Sequence, residues 1–170
     1  MKLRLNPIAL LLSLNAVPSS FDVDSFAAGS QEGQGDTRRL QIEEKEYSAI
    51  IMGPWKEKTK LATTDKGSLQ FVVAWQPDDP EQCQRLKIDR MPLVYQRVFI
   101  DLTESGALDM GPFKNAELNK LREVFNLNAP GVKWSFQDFL GKAAKIKVVY
   151  RPNKDDPANP FQNVAAVTKL

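Results

Sequence analysis

Apolar side chains recur at every second position in several short runs of the chain, the period of a strand buried on one face. Ser68 to Gln76 shows this most plainly, with Leu69, Phe71, Val73 and Trp75 on one side. Leu93 to Leu102 repeats the pattern, turning Val94, Val98, Ile100 and Leu102 toward a core and Tyr95, Arg97, Phe99 and Asp101 away from it. Ahead of both, Glu46 to Trp55 is rich in β-branched and aromatic residues and is halted by Gly53 and Pro54, which predicts a first strand. Two more strands are predicted late in the chain. Ala143 to Arg151 sets Ile146, Val148 and Tyr150 against Lys145, Lys147 and Val149, and Asn163 to Lys169 closes the sequence. Between the third and fourth strands the period changes. Asn115 stands as N-cap of a helix in which Leu118, Leu121 and Phe125 share a face, and Ser135 with Asp138 opens a second, short helix that ends at Gly141.

Two stretches break the pattern. The polar run after Trp55, K-E-K-T-K-L-A-T-T-D-K-G, reads as a loop into the second strand. Pro77 to Pro92, with three prolines and several charges around Cys83, reads as an inserted loop outside the sheet. The order that results is three strands, a helix, and two strands. It predicts a mainly β chain with one or two helices, built as a five-stranded OB-like barrel with a helix between strands 3 and 4 and an N-terminal arm.

The arm occupies residues 1–18, where Lys2 and Arg4 precede an apolar run containing Ile8, Leu10, Leu11, Leu12, Leu14 and Val17. A signal peptide shares the basic start and apolar stretch, but Ser13 and Asn15 interrupt the run. A membrane span needs about 20 apolar residues, roughly twice what is present. A short docking helix fits best, with Asn6 as N-cap, Pro7 at the first helical position and Pro18 past the end. Residues 19–45 then read as an anchoring segment around Phe21, Val23 and Phe26 followed by a Gly-rich linker, and residues 46–170 as the barrel.

Composition narrows the chemistry. At 170 residues and 42% apolar, the chain buries a single core. Its net charge of +2 is unevenly spread: residues 1–109 hold 13 basic and 16 acidic side chains, residues 110–170 hold 10 and 5. Histidine is absent and Cys83 stands alone, which excludes an internal disulfide, a Cys/His zinc site and His-based acid–base catalysis. The adjacent carboxylates Asp78 with Asp79, and Asp155 with Asp156, sit among prolines, where turns account for them. Neither a phosphate-binding glycine loop nor a nucleophile elbow is present. No cofactor or metal is expected, and no enzyme.

What remains points to binding. Tyr95, Arg97 and Phe99 on one outer strand face combine rings that stack on bases with a cation that meets phosphates, the pairing that single-stranded nucleic acid requires. Tyr, Phe and Arg suit a protein interface equally. Lys142, Lys145, Lys147 and Arg151 make the densest basic patch, and Trp55 with Lys56, Lys58 and Lys60 adds an aromatic and basic cluster after the first strand. Lys114, Lys120 and Arg122 read as solvated helix charges.

Several of these runs carry a family pattern. F-D-V-D-S-F (Phe21 to Phe26), E-Y-S-A-I-I, K-N-A-E-L-N-K-L-R-E-V-F-N-L-N-A-P-G (Lys114 to Gly131), G-K-A-A-K-I-K-V-V-Y-R and the closing N-V-A-A-V-T-K-L together resemble small bacteriophage proteins related to single-stranded-DNA-binding proteins. The resemblance implies an OB fold, a phage origin and, as first partner, single-stranded DNA in the host cytoplasm. Two departures from that pattern motivate a rival expectation. The acidic C-terminal tail common in the group is missing, and the apolar arm is additional. A virion structural protein, a capsid decoration or minor capsid protein docked on capsid proteins through its arm, would use both. Either role implies a homo-oligomer or a larger assembly without a membrane span.

Overall fold

Six strands form one antiparallel sheet: β1 (Glu46–Ile51), β2 (Lys60–Thr63), β3 (Leu69–Asp78), β4 (Val94–Ile100), β5 (Ala143–Arg151) and β6 (Phe161–Thr168). Helix α1 (Pro80–Leu86) lies between β3 and β4, and α2 (Ala116–Val124) with a 3₁₀ turn (Phe136–Phe139) lies between β4 and β5. The structure, a computed structural model, describes Asp22 and residues 39–170; the predicted arm lies outside the described residues.

The ten-residue β3 organises the sheet. One of its edges takes β4 along Leu69–Trp75, while the other takes β2 at Leu69–Val72 and then β1 at Trp75–Asp78. Where that second partner changes, Thr59 stands in for backbone. Its hydroxyl donates to the Met52 carbonyl at 2.7 Å and accepts from the Ala74 N–H at 3.1 Å, so the gap in the ladder leaves no buried amide unpaired. β1 continues the sheet into β5, and β5 into β6.

The alternating residues behave as their period requires within the strands, but Leu102, expected on the core face, lies past the end of β4 and is exposed. Phe71, Val73 and Trp75 are fully buried, as are Val94 and Val98 of β4 and Ala144, Ile146 and Val148 of β5. Tyr47, Ala49 and Ile51 of β1 complete that face, and Leu118 and Leu121 of α2 join the same cluster. Each large side chain so buried is worth about 1.5–3 kcal/mol. Phe71 packs its ring against Phe136 at 5.0 Å and Phe139 at 5.3 Å, which ties the 3₁₀ turn to the sheet. Residues 39–45 run along the domain ahead of β1: Ile42 is 1% exposed, and the Tyr150 hydroxyl donates to its carbonyl.

Four expectations are corrected. The polar loop after Trp55 contains β2, a short edge strand held only by its pairing with β3. The Pro77–Pro92 section is not an irregular insertion: β3 runs to Asp78, and Asp79 accepts from the Gln82 N–H at 2.9 Å to cap α1, with Pro80 in its first turn. The sheet is open, with six strands in place of a closed five-stranded barrel. Cα atoms of β4 and β6 approach within 8 Å, but no ladder joins them. A bulge between Lys147 and Val148 increases local twist in the β5–β6 hairpin, and side chains of α2 line the gap. Finally, Arg122 is not a solvated helix charge. Its guanidinium lies over Trp134 at 4.4 Å and donates to Asn119 and to the Leu127 carbonyl. Burial holds its pKa below the usual range for arginine.

Candidate functional site

The seam between β4 and β6 is also a cleft. It encloses about 590 Å³, within the usual size of ligand clefts (about 300–1,000 Å³), with α2 along one wall. Arg97 and Phe99 reach it from β4, Lys120 from α2, and Arg151 from the end of β5. Glu117 is the one acidic residue among its lining. Arg97, Lys120 and Arg151 are exposed, and none is drawn into an ion pair among the described residues, so their charge is available to an anion. Phe99 is 59% exposed, a ring held outward by its strand phase while its neighbours Val98 and Ile100 are locked in the core.

Sheet register explains why these groups meet. Paired residues of an antiparallel ladder share a face. Lys60, Val72 and Arg97 form one row across β2, β3 and β4, and Ala62, Gln70 and Phe99 form the next. Lys60 is thereby brought to the outer face that carries Arg97, two strands away. Tyr95 is exposed on that face opposite Ala74, beyond the cleft.

The other sequence-predicted residues are dispersed. Trp55 is half-buried against Phe71, with ring centroids 6.3 Å apart, and Lys56 and Lys58 belong to the turn that follows it. The basic patch divides: Arg151 lines the cleft, whereas Lys145 and Lys147 stand on the outer face of β5 opposite Ser48 and Glu46. Lys142 is half-buried in the turn before β5, its backbone bonded to Ile51 and Phe139. The residues Ile8 to Val17 of the arm lie outside the described residues.

Sequence reasoning passed over Gln70, Gln96 and Asn163 and read Lys120 as a solvated helix charge, and all four line the cleft. Gln70 carried a signal, a polar side chain in the one strand of clean alternation. Its importance depends on β4, which places Phe99 directly opposite. Gln96 accepts from the Trp75 indole N–H at 3.1 Å, which leaves its amide N–H groups to donate outward.

A second concavity, about 850 Å³, lies between α1 and the ends of β1 and β3. It is the larger, but it is mainly apolar and no aromatic residue lines it. Its charges are balanced, Asp78 and Asp89 against Lys87 and Arg90. The cation and ring combination belongs to the β4–β6 cleft alone of the two.

The loop leading into α2 is tied to β4 by hydrogen bonds. Asn115 does not cap the helix with its side chain; it sits at φ 50° and ties the loop to the end of β4. Phe113, two residues earlier at φ 64°, is 98% exposed. Among the described residues no cluster of three or more His, Cys, Asp or Glu side chains could hold a metal ion. No described helix is long and apolar enough to cross a membrane. No protein-family model matches the sequence, and no curated protein is significantly similar to it.

Proposed function

We propose that this chain is a non-catalytic single-stranded-DNA-binding protein of OB-like design that holds the strand in the β4–β6 cleft. The observation that carries the reading is that Arg97, Lys120 and Arg151 line the same cleft as the exposed Phe99 ring. Cations track phosphates while a ring stacks on a base, and stacking is worth about 1–3 kcal/mol per base. The pairing of β1 with β3 and β5, of β3 with β4 and of β5 with β6, with α2 between β4 and β5, is the connectivity an OB-like barrel would need. β2 would then be an addition at the edge of β3. The bacteriophage resemblance of the sequence motifs supports a phage product working in the host cytoplasm.

Fluorescence anisotropy with a labelled oligo-dT strand, across a salt series and beside a duplex control, tests this. Single strands lose about 0.7 in the slope of log K against log salt per phosphate neutralised. The three cleft cations predict a slope of about −2, falling to about −0.7 in an Arg97→Gln, Arg151→Gln double variant. Absence of binding at low salt, or no preference for the single strand, overturns the reading.

One observation favours a second reading, a virion structural protein. Phe113, with Met110 beside it, offers an apolar knob on a loop tied to β4, the form of an anchor for a partner's pocket. Deleting residues 1–18 or changing Phe113→Ser would then abolish association with purified particles. If binding to DNA is absent and particle association is present, the second reading replaces the first.

A further inference from the structure

Gln70 is 9% exposed, yet its carboxamide has no hydrogen-bond partner among the described residues. Nearly buried amides without partners are uncommon because the lost hydration is not recovered. Its polar atoms are not sealed off, however, because the residue lines the β4–β6 cleft. Its register partners are Ala62 on β2 and, on the cleft side, Phe99 on β4, directly opposite and on the same face. Side chains so paired leave Cβ atoms about 4.5–5.5 Å apart. A flat ring lying on Phe99 would therefore present its edge to the Gln70 amide.

We infer that Gln70 reads the N7-carrying edge of a base stacked on Phe99, the Watson–Crick edge being turned away, and so gives the cleft a preference for adenine. This rests on the nucleic-acid reading of the cleft and goes beyond it, since cations and a ring alone are indifferent to sequence. A carboxamide offers one donor beside one acceptor. On the edge carrying N7, adenine answers with an acceptor at N7 and a donor at N6, so two hydrogen bonds form. Thymine offers on its corresponding edge one acceptor and a methyl group, cytosine one donor, and guanine two acceptors. Adenine alone satisfies both halves of the amide there. Its larger ring system also covers more of Phe99 than a pyrimidine does. Gln96, whose oxygen already accepts from the Trp75 indole N–H, is held to the core side of β4 and is not the residue opposite Phe99.

The test uses the full chain and two labelled strands of equal length, one of alternating dA and dC and one of alternating dT and dC, neither of which pairs with itself. A bidentate base contact discriminates by about fivefold or more, so the adenine strand should bind at least about fivefold tighter. In Gln70→Met, which keeps the side-chain volume, that difference should fall below about twofold with affinity for the dT/dC strand unchanged. Replacing adenine by 7-deaza-adenine, which loses the N7 acceptor and retains the ring, should do the same with the unaltered protein and requires no variant to fold. Equal binding of the two strands, or a preference that survives both the Gln70→Met change and the 7-deaza substitution, overturns the inference and leaves strand binding itself standing. Failure to bind either strand at low salt overturns the nucleic-acid reading beneath it.

Discussion

Replacing Asn115 should destabilise the domain more than any other change in its loops. The residue is 2% exposed and makes three side-chain hydrogen bonds. Its Oδ1 accepts from the Asp101 N–H at 2.9 Å, and its Nδ2 donates to the carbonyls of Asp101 at 2.9 Å and Asp109 at 2.8 Å. At about 0.5–1.5 kcal/mol net for each, the three contribute roughly 2–4 kcal/mol. The backbone at φ 50° is left-handed, a conformation that asparagine tolerates and that costs an alanine roughly 1–2 kcal/mol. Asn115→Ala should therefore lose about 3–5 kcal/mol. Asn115→Gly removes the same bonds and relieves the backbone, at about 0.5–1 kcal/mol of added chain entropy, so it should be the milder of the two. Equilibrium urea unfolding followed by tryptophan fluorescence measures both, since Trp75 and Trp134 are packed in or against the core. A loss under about 1 kcal/mol in the alanine variant, with the denaturant slope unchanged, would refute the claim that this side chain pins the loop to β4.

Three further outcomes follow from the packing and charges. Phe71→Ala empties the space between Trp55, Phe136 and Phe139 and should cost about 3–5 kcal/mol, read from the same unfolding curves. Gln82→Leu deprives the Glu43 N–H of its partner and leaves the Tyr47 hydroxyl only the Glu43 carbonyl, a loss of about 1–3 kcal/mol, and should loosen residues 39–45 in hydrogen exchange. Glu43 is held below its ordinary 4.5 first by hydrogen bonding from Arg85 and then from Lys45, and Asp79 below its ordinary 3.8 first by Lys45 and then by the Gln82 N–H. Because both folded values are lowered, their contribution is complete above the ordinary values and is lost as pH falls through the folded ones. Melting temperature should drop below about pH 4.5, modestly since Glu43 and the partner cations Lys45 and Arg85 are open to solvent, and a Glu43→Gln, Asp79→Asn variant should show a flatter acid limb.

The elements that the sequence disclosed are those whose signal is local. Leu69 to Trp75 alternates because one face of β3 meets the core, and Leu118 and Leu121 share a helix face for the same reason. Ser135 and Asp138 announced the start of the 3₁₀ turn through a contact three residues long, the Asp138 carboxylate accepting from the Ser135 N–H at 2.6 Å. The Asp79–Pro80 start of α1 was equally local, an N-cap followed by proline, but the surrounding prolines and charges masked it. β2 offered no such signal. Four residues with half-exposed alternation form a strand only because β3 has an edge to fill after β1 leaves it.

The alternation of Leu93 to Leu102 by itself determined that Tyr95, Arg97 and Phe99 would face outward, since a two-residue period admits no other arrangement once Val94, Val98 and Ile100 are buried. Which of them share a site was decided by tertiary structure. Arg97, Phe99, Arg151, Lys120 and Gln70 line the open seam together, while Lys145 and Lys147, six and four residues before Arg151 in the chain, stand on the outer face of β5 and do not line it. Spacing along a chain fixes the face of an element on which a residue stands. Pairing register, and the gap that β4 and β6 leave unbridged, set the distances between faces, and those involve residues as far apart in the chain as Gln70 and Arg151.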